Sequence, residues 1–205
     1  MHLAIKVMPI FSSIFPAKCI RCSRLGNGLC EMCRANLLIT RGADLYGVDQ
    51  CWSAGAYSGW LRDAVLSYKS GRIEFRDGLV EVLYQILQTA DCPAQCIVNI
   101  PSTIDKVRSR GFDTVGELSV ALAKRTKLQV RPVLKFARKI QDQVGLNRTD
   151  RGENLDRAFT ASHVVPSRIV LIDDVLTTGA TVIAAARTLR LCGAKKIYVI
   201  SVCRT

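Results

Sequence analysis

The spacing of apolar residues changes along this chain, and the changes mark its elements. Residues 51–57 read as a short strand ending at Gly59. Leu61, Val65, Leu66 and Tyr68 then suit one helix face, and Leu79, Val82, Leu83, Ile86 and Leu87 repeat the helical spacing within 78–89. An apolar run at 96–100 has strand length and is stopped by Pro101. Residues 115–126 read as a helix with Leu118, Ala121 and Leu122 inward, whereas 138–156 are polar, charged and weakly periodic, a long loop with at most one helical turn. Buried strands follow at 168–172 and 197–203, joined by a helix over 180–191 that Gly193 ends as a C-cap. Strand, helix, strand at this spacing is a βαβ unit. The expected class is therefore α/β, a parallel sheet with helices on its faces.

The most informative chemistry sits inside that unit. Ile169 to Ile172 form a strand with no room for charge, and Asp173 and Asp174 follow at once. Ligands of open α/β sheets bind at the carboxyl ends of strands. Thr177, Thr178 and Thr181 add hydroxyls, and Gly179 allows close backbone approach just before the helix. Successive N–H groups and a helix N-terminus cradle an anion. One end of such a site suits a phosphate and the other offers two acceptors to sugar hydroxyls. The plainer alternative, an aspartate capping a helix after a buried strand, leaves the threonine loop unexplained.

Cysteine changes the picture of the N-terminus. Cys19-Ile-Arg-Cys22 and Cys30-Glu-Met-Cys33 are two C-x-x-C pairs with Gly26 and Gly28 between them. Four thiolates at this spacing suit one tetrahedral, structural Zn²⁺ with no open position. Cys51, Cys92, Cys96, Cys192 and Cys203 look like core or strand residues, with Cys51 alone suspected of assisting the metal. The division expected is an N-terminal zinc segment, 1–48, ahead of a domain over 49–205. Residues 1–15 are too short an apolar stretch to span a membrane and carry no cleavage pattern, so the expected compartment is the reducing cytoplasm.

Charge points to polyanionic partners. The 205 residues carry 29 Lys+Arg against 17 Asp+Glu, a formal +12, and four thiolates around one Zn²⁺ would lower it by only two. Residues 105–157 hold half of that excess, thirteen basic groups against seven acidic. Lys106, Arg108 and Arg110 follow Pro101 on what reads as a loop at a strand end, a place for a diphosphate or a nucleic-acid backbone. A solvated basic face is the alternative.

These motifs carry a resemblance. Ile-Asp-Asp-Val-Leu-Thr-Thr-Gly-Ala-Thr resembles the phosphoribosyl-pyrophosphate (PRPP) motif of type I phosphoribosyltransferases. The resemblance implies a sheet of that type and assigns Asp173 and Asp174 to ribose hydroxyls. It assigns Thr177, Thr178, Gly179 and Thr181 to the 5′-phosphate, with Val175, Leu176 and Ala180 completing the loop, and brings Mg²⁺ with PRPP. The order around it, Tyr57, Leu61 and Lys69, then Pro101 and Arg108-x-Arg110-Gly111-Phe112, then Gln143, Leu146, Arg151, Asn154, Ala158 and Phe159, is similar to the ComF family. Those proteins join a four-cysteine finger to a phosphoribosyltransferase-like domain and are associated with DNA uptake in natural competence. The family's Arg-Gly-Phe-Asn-Gln departs to Asp113 and Thr114 here, and Ile140 and Phe136 stand where a threonine and an arginine are usual. Three readings follow: an accessory of DNA uptake binding a phosphoribosyl ligand, single-stranded DNA or both; an active transferase moving phosphoribosyl from PRPP to a nitrogen acceptor; and a zinc-stabilised PRPP or nucleotide sensor.

Overall fold

A computed structural model of the chain describes residues 18–25, 28–137, 158–162 and 164–205. In chain order its elements are α1 (Glu31–Ala35), β1 (Thr40–Arg41), β2 (Gln50–Ser53), α2 (Gly59–Lys69), a 3-10 turn (Ile73–Phe75), α3 (Arg76–Thr89) and β3 (Cys96–Asn99). Then come α4 (Ile104–Arg110), α5 (Thr114–Thr126), β4 (Gln129–Val130), β5 (Leu134–Phe136), β6 (Phe159–Ala161), β7 (Arg168–Leu176), α6 (Ala180–Leu191) and β8 (Lys196–Arg204). Six strands form one sheet in the order β1-β2-β8-β7-β3-β4, parallel except where β1 pairs antiparallel with β2. β5 and β6 form a separate antiparallel ribbon. The α/β class expected from the βαβ pattern is the class found.

The central strands are apolar on both sides because both faces are covered. Val170, Ile172, Ile200 and Val202 pack with Leu61, Val65, Leu79, Leu83, Leu118 and Leu122 of α2, α3 and α5. Ile169, Leu171, Ile197 and Val199 face the other way, onto Val182, Ala185, Ala186 and Leu189 of α6. From β3 the chain moves outward to β4, and from β7 it moves the opposite way to β8. The strand order therefore reverses between β3 and β7, and a crevice opens beyond their carboxyl ends.

Three sequence expectations change. The strand read over 51–57 ends at Ser53, leaving only an isolated bridge from Ala56 to Arg204, and Gly59 opens α2 at φ +51° instead of closing the strand. β7 does not stop at Ile172 but carries Asp173 and Asp174 within it as far as Leu176, held by parallel pairing to β8. Lys106, Arg108 and Arg110 lie on the helix α4, not on a loop; the Thr103 hydroxyl accepts from Lys106 N–H at its start and Gly111, at φ +83°, ends it. The loop expected over 138–156, with Gln143, Leu146, Arg151 and Asn154, lies outside the described residues, as does Gly26.

The cysteine segment docks on α3. Cys19, Leu29 and Cys33 join the same core as α2, α3 and α5. Gly28 sits at φ +68°, where a Cβ would lie 3.0 Å from backbone atoms of Asp77 and Gly78. Buried Glu81 on α3 receives Arg125 of α5 at 2.7 Å and Arg34 of the cysteine segment at 3.7 Å.

Candidate phosphoribosyl site and cysteine cluster

The crevice at the switch point is a cleft of about 450 Å³. Its floor is the end of β7, and Asp173, Asp174, Val175, Leu176, Thr177, Gly179 and Thr181 all line it. Thr178 and Ala180 belong to the same loop but do not reach the cleft wall; the Thr178 hydroxyl accepts from Ala180 N–H at 3.4 Å and so helps start α6. Gly179 is required twice over. Its φ of +77° suits glycine, and a Cβ there would lie 2.8 Å from Leu45 Cδ2. First-turn amides of α6 have no intrahelical acceptors and point a partial positive charge at the cleft.

The two acids lie on opposite faces of β7 and have different neighbours. Asp173 Oδ1 accepts from Asp174 N–H at 2.9 Å. Asp174, 8% exposed, accepts from Lys69 Nζ at 2.7 Å. Burial, and then the adjacent Asp174 charge, push the Asp173 carboxyl up to about 7, against the pull of Lys69 and Lys106. Lys106 and Arg110, four residues apart on α4, line the far wall, whereas Arg108, two residues from each, is exposed and outside the cleft. Among the described residues, Lys69, Lys106 and Arg110 give the cleft three cations against two acids, a balance that favours an anionic ligand.

Sequence reasoning missed part of this wall. Phe136 and Phe159 stack at the cleft with centroids 4.9 Å apart; Phe136 had stood only as a departure from a motif. Ser102 donates to Asp113 Oδ1 at 2.7 Å, and Thr114, almost fully buried, lines the cleft with a hydroxyl that has no partner among the described residues. The departed motif has a local account: Gly111 ends α4, Phe112 packs edge-on against Tyr68 at 5.2 Å, and Asp113 occupies the cap position of α5.

The four cysteines meet as their spacing requires. The sulfurs of Cys19, Cys22, Cys30 and Cys33 all lie within 4.8 Å of one another, close enough to hold one metal ion. Burial raises the Cys19 thiol, but N–H groups of Cys30, Cys22 and Arg21 outweigh it and lower the pKa to about 6. Burial and the neighbouring cysteines push Cys33 up to about 12. Thiolates crowded this way repel unless a cation lies among them, and four sulfurs at such separations fit tetrahedral Zn²⁺. Cys51 does not join them; it is buried on β2 in the other core, beside Gly42 and Arg204.

No family model matches the chain. Competence protein F of Haemophilus influenzae is 29% identical over 110 residues, 51% of this chain and 48% of that protein. That match falls on a chain with a four-cysteine cluster and a mostly parallel sheet. The chain is similar to this competence protein over about half its length. A ribose-phosphate pyrophosphokinase of Parasynechococcus marenigrum is 26% identical over 145 residues, 66% of this chain and 42% of that protein. The chain thus spans about half the length of the curated relatives it matches. Among solved structures, the glutamine PRPP amidotransferase of B. subtilis is 19% identical over 61% of this chain and 25% of that chain, at a TM-score of 0.43. A purine phosphoribosyltransferase of Pyrococcus horikoshii Ot3 is 14% identical over 64% of this chain and 83% of that one, at 0.38. Among the described residues no helix is long and apolar enough to cross a membrane.

Proposed function

We propose that this chain binds a phosphoribosyl ligand, PRPP or a close relative, in the switch-point cleft, and that it serves DNA uptake as a zinc-stabilised cytoplasmic accessory. The observation that carries the reading is the cleft itself. Two carboxylates of β7 stand at one end to accept from ribose hydroxyls, and the Thr177–Gly179 turn with the start of α6 stands at the other to receive the 5′-phosphate. Lys106 and Arg110 face the remaining anionic part of the ligand, the diphosphate in PRPP, on which Mg²⁺ would enter. Exposed Arg108 on α4 is available to a single-stranded DNA backbone, and the sequence over 105–157 carries the basic surplus such a polymer would need. In this reading an N-terminal segment, 1–48, with Zn²⁺ on Cys19, Cys22, Cys30 and Cys33, precedes a phosphoribosyltransferase-like domain over 49–205; among the described residues β1 pairs with β2 and α1 touches α3.

One observation favours a second reading, transfer of phosphoribosyl to a nitrogen acceptor. The Phe136–Phe159 stack offers a planar apolar wall beside the place of the sugar. In that reaction the nitrogen bonds to C1 of PRPP as the C1–O bond breaks, and pyrophosphate leaves with the electron pair. Positioning and charge would do the work, since among the described residues no carboxylate or imidazole lines the cleft apart from the two acids.

Calorimetry tests the binding reading. Purified protein should take up PRPP with Mg²⁺, and Asp173→Asn or Asp174→Asn should weaken uptake by about 1.5–3 kcal/mol each, the value of a charge-assisted hydrogen bond. Unchanged affinity in the double variant would reduce the acids to structural groups. Pyrophosphate release with nucleobases present would move the transferase reading to first place.

A further inference from the structure

Lys69 is the last residue of α2, and its ammonium reaches Asp174 across the cleft floor at 2.7 Å, the two side chains 21% and 11% exposed. A helix carboxyl end is a favourable site for a cation, so α2 itself helps hold this charge in place. Neighbouring carboxylates on one strand repel, and the repulsion grows as water is excluded. A divalent cation with oxygen ligands is one relief for such a pair. Here the chain supplies its own.

Resting on the phosphoribosyl reading of the cleft, we propose that Lys69 is a resident counter-ion that takes the cation position of the Asp173–Asp174 pair, so that this end of the site holds its ligand without a divalent metal. Asp174 Oδ1 is already engaged by Lys69, and Asp173 Oδ1 by the Asp174 N–H. Among the described residues the second oxygen of each carboxylate has no hydrogen-bond partner, which leaves one acceptor per acid for a pair of sugar hydroxyls. A metal at Asp174 must displace the ammonium and then sit among Lys69, Lys106 and Arg110, all on the same cleft. Like charges in so small a space oppose that exchange. The acids are thus poorly fitted to a metal, and any ion that accompanies PRPP belongs on the ligand's own diphosphate. Lys69 is a positioning residue: it acts through Asp174, fixing the carboxylate and cancelling its charge.

The test uses zinc-loaded protein and two readouts. In Mn²⁺ titrations followed by electron paramagnetic resonance, wild type and Lys69→Arg should bind no Mn²⁺ at the acids. Lys69→Met should gain at least tenfold in Mn²⁺ affinity, and a further Asp174→Asn change should remove the gain. Should Lys69→Met fail to fold, Lys69→Gln, which keeps a hydrogen bond to Asp174 without the charge, carries the same expectation. In calorimetry with ribose 5-phosphate, wild type should bind within twofold equally in metal-depleted buffer and in Mg²⁺. The uncharged variants should lose at least tenfold without Mg²⁺ and recover with it. Wild-type Mn²⁺ binding that Asp174→Asn abolishes would overturn the proposal. So would an uncharged Lys69 variant with no Mn²⁺ affinity, or wild-type ribose 5-phosphate binding that requires Mg²⁺. Wild type that binds no ribose 5-phosphate in either buffer would sink the phosphoribosyl reading instead, and the Mn²⁺ arm would still decide the role of Lys69.

Discussion

Phe136 at the end of β5 and Phe159 at the start of β6 are register partners whose rings stack, 4.9 Å between centroids and 27° from parallel. The pair packs into the core beneath α6 and forms part of the cleft wall. It is an apolar plane in a cleft that also holds Lys69, Lys106, Arg110 and the two acids. A flat base is the natural occupant of that plane. Phe136→Ala should therefore weaken binding of a nucleoside monophosphate by about 1–3 kcal/mol, the worth of one base–aromatic stack. Ribose 5-phosphate, which has no base, should bind the variant as it binds wild type. Calorimetry with the two ligands separates a stacking role from general damage to the ribbon.

The cysteine cluster predicts one zinc per chain. Elemental analysis of protein made with ample zinc should find it, and Cys22→Ser should lower both metal content and thermal stability. A bound metal would supply folding free energy to a segment this small. Zinc content near zero in wild type, or a Cys22→Ser variant unchanged in both measures, would remove zinc from the account.

Gly28 links the same segment to the body of the protein. A Cβ at its φ of +68° meets both conformational strain and the backbone of Asp77 and Gly78 at 3.0 Å. Backbone cannot yield as a side chain end can. Gly28→Ala should cost about 1–3 kcal/mol, the range for a special backbone position, read as a lower midpoint in urea. Zinc should be retained, because no ligand changes.

Much of this was legible before the structure. The apolar run 169–172 declares a strand covered on both faces, and α6 runs from Ala180 to Leu191 as its periodicity required. The cysteine spacing placed four sulfurs together. What failed to show has physical reasons. Acids normally mark the end of a strand, but eight parallel register pairs to β8 carry β7 through Asp173 and Asp174 to Leu176. α4 has no apolar stripe, so its only local signals are Thr103 at its start and Gly111 at its end. The Lys69–Asp174 contact joins residues 105 positions apart, and the chain holds no local trace of it. Phe136 was visible only as a missing arginine, since a stack across a ribbon depends on which strands pair.

Asp173 makes stability depend on pH. Folded, it keeps its proton up to about pH 7; unfolded, it gives the proton up near 3.8. Between those values the folded chain binds more protons than the unfolded one, so this group's contribution to stability falls as pH rises through that window. Asp173→Asn, which has no charge to bury, should be the more stable form at pH 8, read as a higher melting temperature than wild type. At pH 4 the two should melt together. An asparagine variant that is less stable at pH 8 would show that the carboxylate is stabilised where it stands.

The final prediction separates the small ligand from the polymer. Arg110 lines the cleft, while Arg108, on the same helix, is exposed and outside it. If the basic surface binds a single-stranded DNA backbone, the log–log dependence of affinity on salt should fall by about 0.7 for each phosphate neutralised. Arg108→Ala should flatten that slope by about one such step and weaken all sequences alike, because phosphate contacts carry no sequence information. It should leave PRPP binding unchanged. Arg110→Ala should weaken PRPP, since its guanidinium faces the cleft. Thr177→Val, which removes a hydroxyl from the phosphate turn, should weaken PRPP and spare DNA. No DNA binding at low salt would leave the positive charge as a solvated face and the cleft as the seat of function. DNA binding with a slope that Arg108→Ala does not alter would place the polymer on another part of the surface. If free PRPP competes with DNA for wild type but not for the Arg110→Ala variant, then α4 serves both ligands, with Arg110 as the residue they share.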